Sequence, residues 1–210
     1  MERQYAVLLD AGFLRRKLGS QAAPMTAQNV EDLVNKIKGR NELLGMRLYR
    51  VFYYDAEPFT GTKTHPISNA VTNFGATQMA IDCNTLLDEL KVKPFFAVRL
   101  GELNFRGWKV SDAALQSGAG GTATINAHNV SPNLQQKGVD MRIALDISSM
   151  TLKNQADVFC LVTGDSDFAP IIKFARSEGK QVFTYTLGHR VKPSLPIHSD
   201  LHISETYANL

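Results

Sequence analysis

The chain has few cysteines. Cys83 and Cys160 are the only two in 210 residues, too few and too far apart for a disulfide framework or a zinc site. Cys160 lies inside an apolar run and reads as a core residue. No apolar stretch approaches the roughly 20 residues that a membrane-spanning helix requires. Met1 to Tyr5 leads straight into a strand pattern without the composition of a signal peptide, so a cytoplasmic location is the expectation. A P-loop is missing, as is a complete Gly-x-Gly-x-x-Gly, which argues against a nucleotide-driven switch. A strong charge of one sign is missing too. The net charge of +3 is close to neutral at this length, so any positive field for an anionic partner must come from local clusters. What is present, 44% hydrophobic and 20% charged residues, suits an ordinary globular domain. The length allows one domain, or one domain with a large insertion.

The most informative stretch runs from Asp157 to Ile172. Val158 to Val162 is an unbroken apolar run with β-branched and aromatic members, the pattern of a strand buried on both faces. Thr163-Gly164 turns the chain. Asp165-Ser166-Asp167 follows, and then Phe168, Ile171, Ile172 and Ala175 fall on one helical face. With Asp167 as N-cap, Pro170 occupies the third helical position, where its missing N–H has no partner to lose. Gly179 ends the helix. Two carboxylates thus stand where a buried strand hands over to a helix, at the sheet edge where α/β proteins bind ligands. N-capping accounts well for one of them.

The N-terminus repeats this logic. Tyr5 to Leu9 is an apolar run ending at Asp10, followed by Ala11-Gly12 and a short helix from Phe13 to Leu18, with Arg15, Arg16 and Lys17 on its exposed side. A third acid, Asp140, falls in the first turn of a helix read over 138–152, where the helix dipole favours an anion. Asp146 lies six residues on, about 240° further round, and so does not share that face. It is expected to support the ligands, gripping a backbone N–H or a basic neighbour. Further elements are a helix over 26–38 capped by Thr26, a strand over 47–54 ending at Asp55 (read as a turn residue), a largely helical 66–90, a strand over 95–100 and a strand over 180–187. Residues 101–136 read as a loop or hairpin insertion with a flexible stretch from Ser117, and 194–210 as a C-terminal extension made of a surface helix and a final strand. Alternating strands and helices predict an α/β fold, a mostly parallel sheet with helices on both faces in three layers.

Three blocks carry a family resemblance: Val7-Leu-Leu-Asp-Ala-Gly12, Lys137-Gly-Val-Asp-Met-Arg-Ile-Ala-Leu-Asp146, and Leu161-Val-Thr-Gly-Asp-Ser-Asp-Phe-Ala-Pro-Ile-Ile172. In order and spacing they resemble the NYN domain, the LabA-like branch of the PIN-like nucleases. The resemblance implies a single Rossmann-like, PIN-like domain over residues 1–210 and a metal-dependent, endoribonuclease-like hydrolase. It makes Asp10, Asp140, Asp165 and Asp167 the expected catalytic and metal-binding residues, with Thr163 and Ser166 hydrogen-bonding the acids or a phosphate. Family members often have Asn where Phe13 stands, so the chain departs from the pattern there.

The chemistry agrees. Packed carboxylates push some of one another's pKa values up, and a divalent cation relieves that repulsion. Oxygen ligands without His or Cys select Mg²⁺ or Mn²⁺ over zinc, as one or two ions. The expected partner is RNA, single-stranded or structured, with no membrane; a homodimer is left open. Nucleic-acid contacts are sought at Trp108 with Arg99, Arg106 and Lys109, by stacking plus charge, and at Lys137, His189 and Arg190. Two other readings stand beside the nuclease: an RNA-binding or regulatory module with little catalysis, and a Mg²⁺-dependent phosphatase or phosphoacceptor using Asp10 with a lysine late in the chain.

Overall fold

The computed structural model describes every residue except Met1, Gln21, Ser117 and Ala119, so the flexible stretch expected from Ser117 lies partly outside the described residues. In chain order the elements are β1 (Gln4–Asp10), α1 (Ala11–Leu18), α2 (Ala27–Lys38), β2 (Arg47–Ala56), β3 (Thr62–Thr64), β4 (Val71–Asn73), α3 (Gln78–Lys91) and β5 (Phe96–Val110). Then follow α4 (Asp112–Gln116), β6 (Val130–Lys137), α5 (Val139–Leu152), β7 (Val158–Val162), α6 (Ala169–Ser177), β8 (Gln181–Tyr185), α7 (Ser194–His198) and β9 (Leu201–Ile203).

Seven strands form one sheet in the order β6-β5-β2-β1-β7-β8-β9. Every neighbouring pair is parallel except β5–β6. The chain leaves β1 towards β2 and β5 on one side, then returns to lay β7, β8 and β9 on the other. The order reverses between β1 and β7, which makes their carboxyl ends the topological switch point, where α/β sheets open a crevice.

The unbroken apolar runs are explained by burial on both faces. Tyr5, Val7 and Leu9 of β1 and Val158, Cys160 and Val162 of β7 face α1, α2 and α3, meeting Leu14, Leu33, Ile37 and Leu90. Ala6, Leu8, Phe159 and Leu161 face α5 and α6, meeting Ile143, Ile147 and Ile172. Each such large apolar side chain contributes about 1.5–3 kcal/mol by leaving water. The three-layer α/β architecture is the one the alternation of elements predicts.

Two expected elements differ in extent, and the tail has the expected helix and strand. The helix read over 66–90 begins only at Gln78, capped by the Thr77 hydroxyl, which accepts from the Ala80 N–H. Residues 62–73 instead form the β3–β4 hairpin, where His65 Nδ1 accepts from the Ile67 and Ser68 N–H groups. Side chains that bond their own backbone compete with a helix. The segment read as a loop or hairpin insertion over 101–136 is largely a two-stranded ribbon, the hairpin of the two alternatives, and it extends the central sheet. β5 continues to Val110 and β6 returns antiparallel from Val130, with Glu102 opposite Lys137 and an irregularity between Phe105 and Trp108, where Gly107 takes φ +89°. The tail adds α7 and then β9, a parallel edge strand beside β8. There Asp200 takes the Val182 N–H and pairs with Arg176, while His202 shares a hydrogen bond with Thr184.

Candidate active site

Asp10 is the last residue of β1 and the N-cap of α1. Its two oxygens are held separately: Oδ1 accepts from the Phe13 N–H at 3.2 Å and Oδ2 from the Thr163 hydroxyl at 2.9 Å. Thr163 follows β7 directly, is fully buried, and its Oγ accepts from the Asp165 N–H at 3.1 Å. A single hydroxyl therefore fastens the carboxyl ends of the two central strands together. Asp165 Oδ1 accepts from the Asp167 N–H at 2.9 Å. Asp167 is thus not the N-cap of α6 that the sequence suggested: α6 follows Phe168 with no side-chain cap, and Pro170 is its second residue rather than its third. A 3₁₀ turn over Ser166–Phe168, capped by Asp165, precedes it. It leaves the Asp167 side chain exposed, its carboxylate not used as the cap.

Asp140 enters from the first turn of α5. Burial raises its pKa, and Asp165 and Asp167 raise it further by like charge. Burial is likewise the main cause raising Asp10, with Asp140 adding to it; the bonds from Phe13 and Thr163 and the Arg16 charge oppose the shift. The four acids thus sense one another across β1, α5 and the turn after β7. Asp140, Asp165 and Asp167 also border a cavity of about 230 Å³ walled by apolar side chains of α5 and α6. Among the described residues no three His, Cys, Asp or Glu side chains are disposed to hold one metal ion. The donor chemistry still fits Mg²⁺ or Mn²⁺: the candidate ligands are oxygen only, and Mg²⁺ keeps several waters while taking one or two carboxylates.

The other expected site residues fall elsewhere. Ser166 Oγ accepts from the Lys192 N–H at 3.1 Å, so it secures the loop after β8 and not the acids. Asp146 Oδ2 accepts from the Tyr54 hydroxyl and from Arg99 Nε, each at 3.0 Å. It grips a basic neighbour, as expected, but on the β2–β5 side of α5. Arg99 is committed there, its guanidinium 5.4 Å from the Phe52 ring centre. Trp108 packs edge-on against His65 and Phe105, with ring centres 4.8 Å and 5.7 Å away, in a small aromatic cluster with Phe59 and Phe74. Arg106, Lys137 and Arg190 are exposed.

Several residues of the site had no signal in the sequence. A Cβ at Gly12 would lie 3.4 Å from both Asp10 Oδ1 and Gln136 Oε1, so the end of β6 reaches across to the acids. A Cβ at Gly164 would lie 2.6 Å from the Phe13 ring and 2.8 Å from the His189 ring, which themselves meet edge to face. Phe13 is therefore a packing plate under the turn that carries Asp165. Asp55 is no turn residue but a fully buried acid. It receives Arg15 in a two-pronged ion pair with N–O distances of 2.7 and 2.5 Å and takes the Ala56 N–H as well. Arg15 thus turns inward, against the expectation of an exposed face. Burial opposes its charge, but Asp55 outweighs that and raises its pKa. Only three-dimensional proximity could have paired residues 15 and 55.

A family model for the NYN domain matches residues 101–200, a span that holds Asp140, Thr163, Asp165 and Asp167. No curated protein shows significant similarity to the chain. Among solved structures, the chain is similar to a protein of unknown function from Vibrio parahaemolyticus RIMD 2210633, with a TM-score of 0.52 and 13% identity, over 96% of this chain and 92% of that one. At that identity the likeness concerns the fold alone. NYN domains belong to the PIN-like nuclease superfamily, and the match covers the two segments that carry Asp140, Asp165 and Asp167; over residues 101–200 the chain is similar to that family.

Proposed function

We propose that this protein is a Mg²⁺- or Mn²⁺-dependent ribonuclease that hydrolyses RNA phosphodiester bonds at the β1–β7 switch point. One observation carries the reading: Asp10 at the end of β1, Asp140 in the first turn of α5, and Asp165 and Asp167 in the turn after β7 lie at the same carboxyl edge of the sheet, with the Thr163 hydroxyl joining Asp10 to the Asp165 backbone. Such an arrangement costs stability unless a cation offsets it. When bound by these acids, directly or through water, the ion supplies a water of lowered pKa and charge compensation at a phosphoryl oxygen.

The chain's own part is positioning. The Phe13 N–H and the Thr163 hydroxyl fix both oxygens of Asp10, so the carboxylate is held in one orientation before substrate arrives. Thr163 orients the Asp165 backbone at the same time, coupling the two strands. The positive ends of α1 and α5 face the same edge and favour the negative charge gathered there. Exposed Lys137 and exposed Arg190 follow Gln136 and His189, whose side chains lie near Gly12 and Gly164, and are the cations assigned to phosphates flanking the scissile bond. No side-chain nucleophile is required. A phosphoacceptor reading needs a lysine beside Asp10, and buried Lys180 is not that lysine: it bonds Asn154 and Asp157 at the opposite, amino end of β7 and β8.

The test is incubation of labelled single-stranded RNA with wild type and Asp165→Asn, with Mn²⁺, Mg²⁺ or EDTA. Cleavage that needs both the ion and Asp165 is the expected result. Full activity in Asp165→Asn, or in EDTA, rejects the assignment. Tight RNA binding without turnover would point to the binding-module reading.

A further inference from the structure

We propose that the cavity beside the acids receives one unpaired nucleobase of the substrate, so that the enzyme acts on single-stranded RNA and prefers bases carrying an amino group. This rests on the ribonuclease reading and adds to it a subsite and a substrate class. The cavity holds about 230 Å³, room for a flat group the size of a single base. Its walls are apolar: Met141 and Ala144, one turn apart on α5, face Pro170 and Ile171 at the start of α6. Its rim is Asp140, Asp165 and Asp167. The apolar walls offer nothing to a phosphate, whereas a neutral, planar base gains by leaving water against them.

The rim also reads the base edge. A carboxylate only accepts hydrogen bonds. Adenine, cytosine and guanine offer an exocyclic amino group, and guanine adds a ring N–H beside it, a two-pronged match to one carboxylate. Uracil offers two carbonyl oxygens and a single N–H. In a duplex these edges are paired and the faces stacked, so a base enters only from an unpaired position. Met141 is 63% exposed although apolar, as befits a wall that a ligand covers.

The test compares wild type, Ala144→Phe, which fills the cavity, and Met141→Ser, which removes a wall at an exposed position and leaves the core intact. Each is assayed for Mn²⁺-dependent cleavage of labelled oligo-A, oligo-U and a fully paired duplex, and for the Mn²⁺-induced rise in Tm. The expected result is oligo-A cleaved faster than oligo-U, no cleavage of the duplex, and cleavage about tenfold lower in at least one variant with the Mn²⁺ shift retained. Both variants cleaving like wild type would overturn the subsite while leaving the ribonuclease reading in place. Cleavage lost only together with the Mn²⁺ shift would overturn it as well, because the damage would then lie in the acids. A wild type that cleaves nothing removes the ribonuclease reading and the subsite together.

Discussion

At the residue scale the site depends on Thr163. Its hydroxyl donates to Asp10 and accepts from the Asp165 N–H, and it is fully buried. Thr163→Val keeps the shape and removes both bonds, leaving a buried N–H without its partner. Each such loss costs about 1–3 kcal/mol, so urea denaturation should show a drop of that order. RNA cleavage should fall at least tenfold, with Thr163→Ser retaining most of it. Asp140 gives a prediction whose sign follows from linkage. Its folded-state pKa is raised above 3.8, so between 3.8 and the raised value the metal-free folded chain holds a proton that the unfolded chain has released. Stability contributed by this group is therefore lost as pH rises through that window. Asp140→Asn, which mimics the neutral form, should gain stability relative to wild type between pH 3 and pH 7 in EDTA, measured as the difference in Tm at each pH. A constant difference would contradict the raised pKa. Asp55→Asn strips a charge partner from Arg15, whose side chain is 38% exposed. The cost should be nearer about 2 kcal/mol than the about 3–5 kcal/mol of a wholly buried pair.

At the element scale the decisive contacts are turns and ribbons. The turn after β7 leaves no room for a Cβ at Gly164 between the Phe13 and His189 rings. Gly164→Ala should cost about 1–3 kcal/mol by overpacking. In a Phe13→Leu background the cost should shrink by about 1 kcal/mol, a coupling that a double-mutant cycle measures; strict additivity would show that the ring is not what Ala meets. The Phe13 that departs from the family pattern is thus used for packing where a polar residue is common. β7 and β1 were legible because strands buried on both faces need apolar residues at every position. The β5–β6 ribbon was not, because it projects beyond the helices with both faces half exposed and carries Asn, Gln and Pro where a core strand carries Val and Ile. The helix over 66–90 was overextended because its apolar spacing continues through residues whose side chains bond their own backbone, His65 and Asn73 among them.

At the scale of the whole molecule the site belongs to the sheet order. Parallel pairing of β1 with β7 brings Asp10 beside Thr163, a hydrogen bond across 153 positions in sequence. The same crossover sets the first turn of α5 over that edge. An ion bound there stabilises only the folded state, so Mn²⁺ at about 100 times its Kd should add about 2.7 kcal/mol. For a chain of this length that corresponds to roughly 5–10 °C in Tm. EDTA should reverse the rise, and Asp165→Asn should show little of it. An equal rise in the variant would place the ion elsewhere.

What the sequence determined by itself was whatever short-range pattern can encode. It set the buried strands, the acids at their carboxyl ends, the helix stripes and caps such as Thr26, and the three motif blocks that resemble the NYN domain. It could not decide which acid caps and which is left free of that task, because Asp165 and Asp167 are separated by Ser166 alone and only the 3₁₀ turn over Ser166–Phe168 makes Asp165 the one that caps. Nor could it turn Arg15 inward to Asp55, bring Gln136 to Asp10, or send Asp146 to Arg99 rather than to the other acids. Each of these joins residues far apart in the chain, and local periodicity carries no information about which distant strands become neighbours. The tertiary structure decided them, through a sheet whose order reverses at β1 and β7.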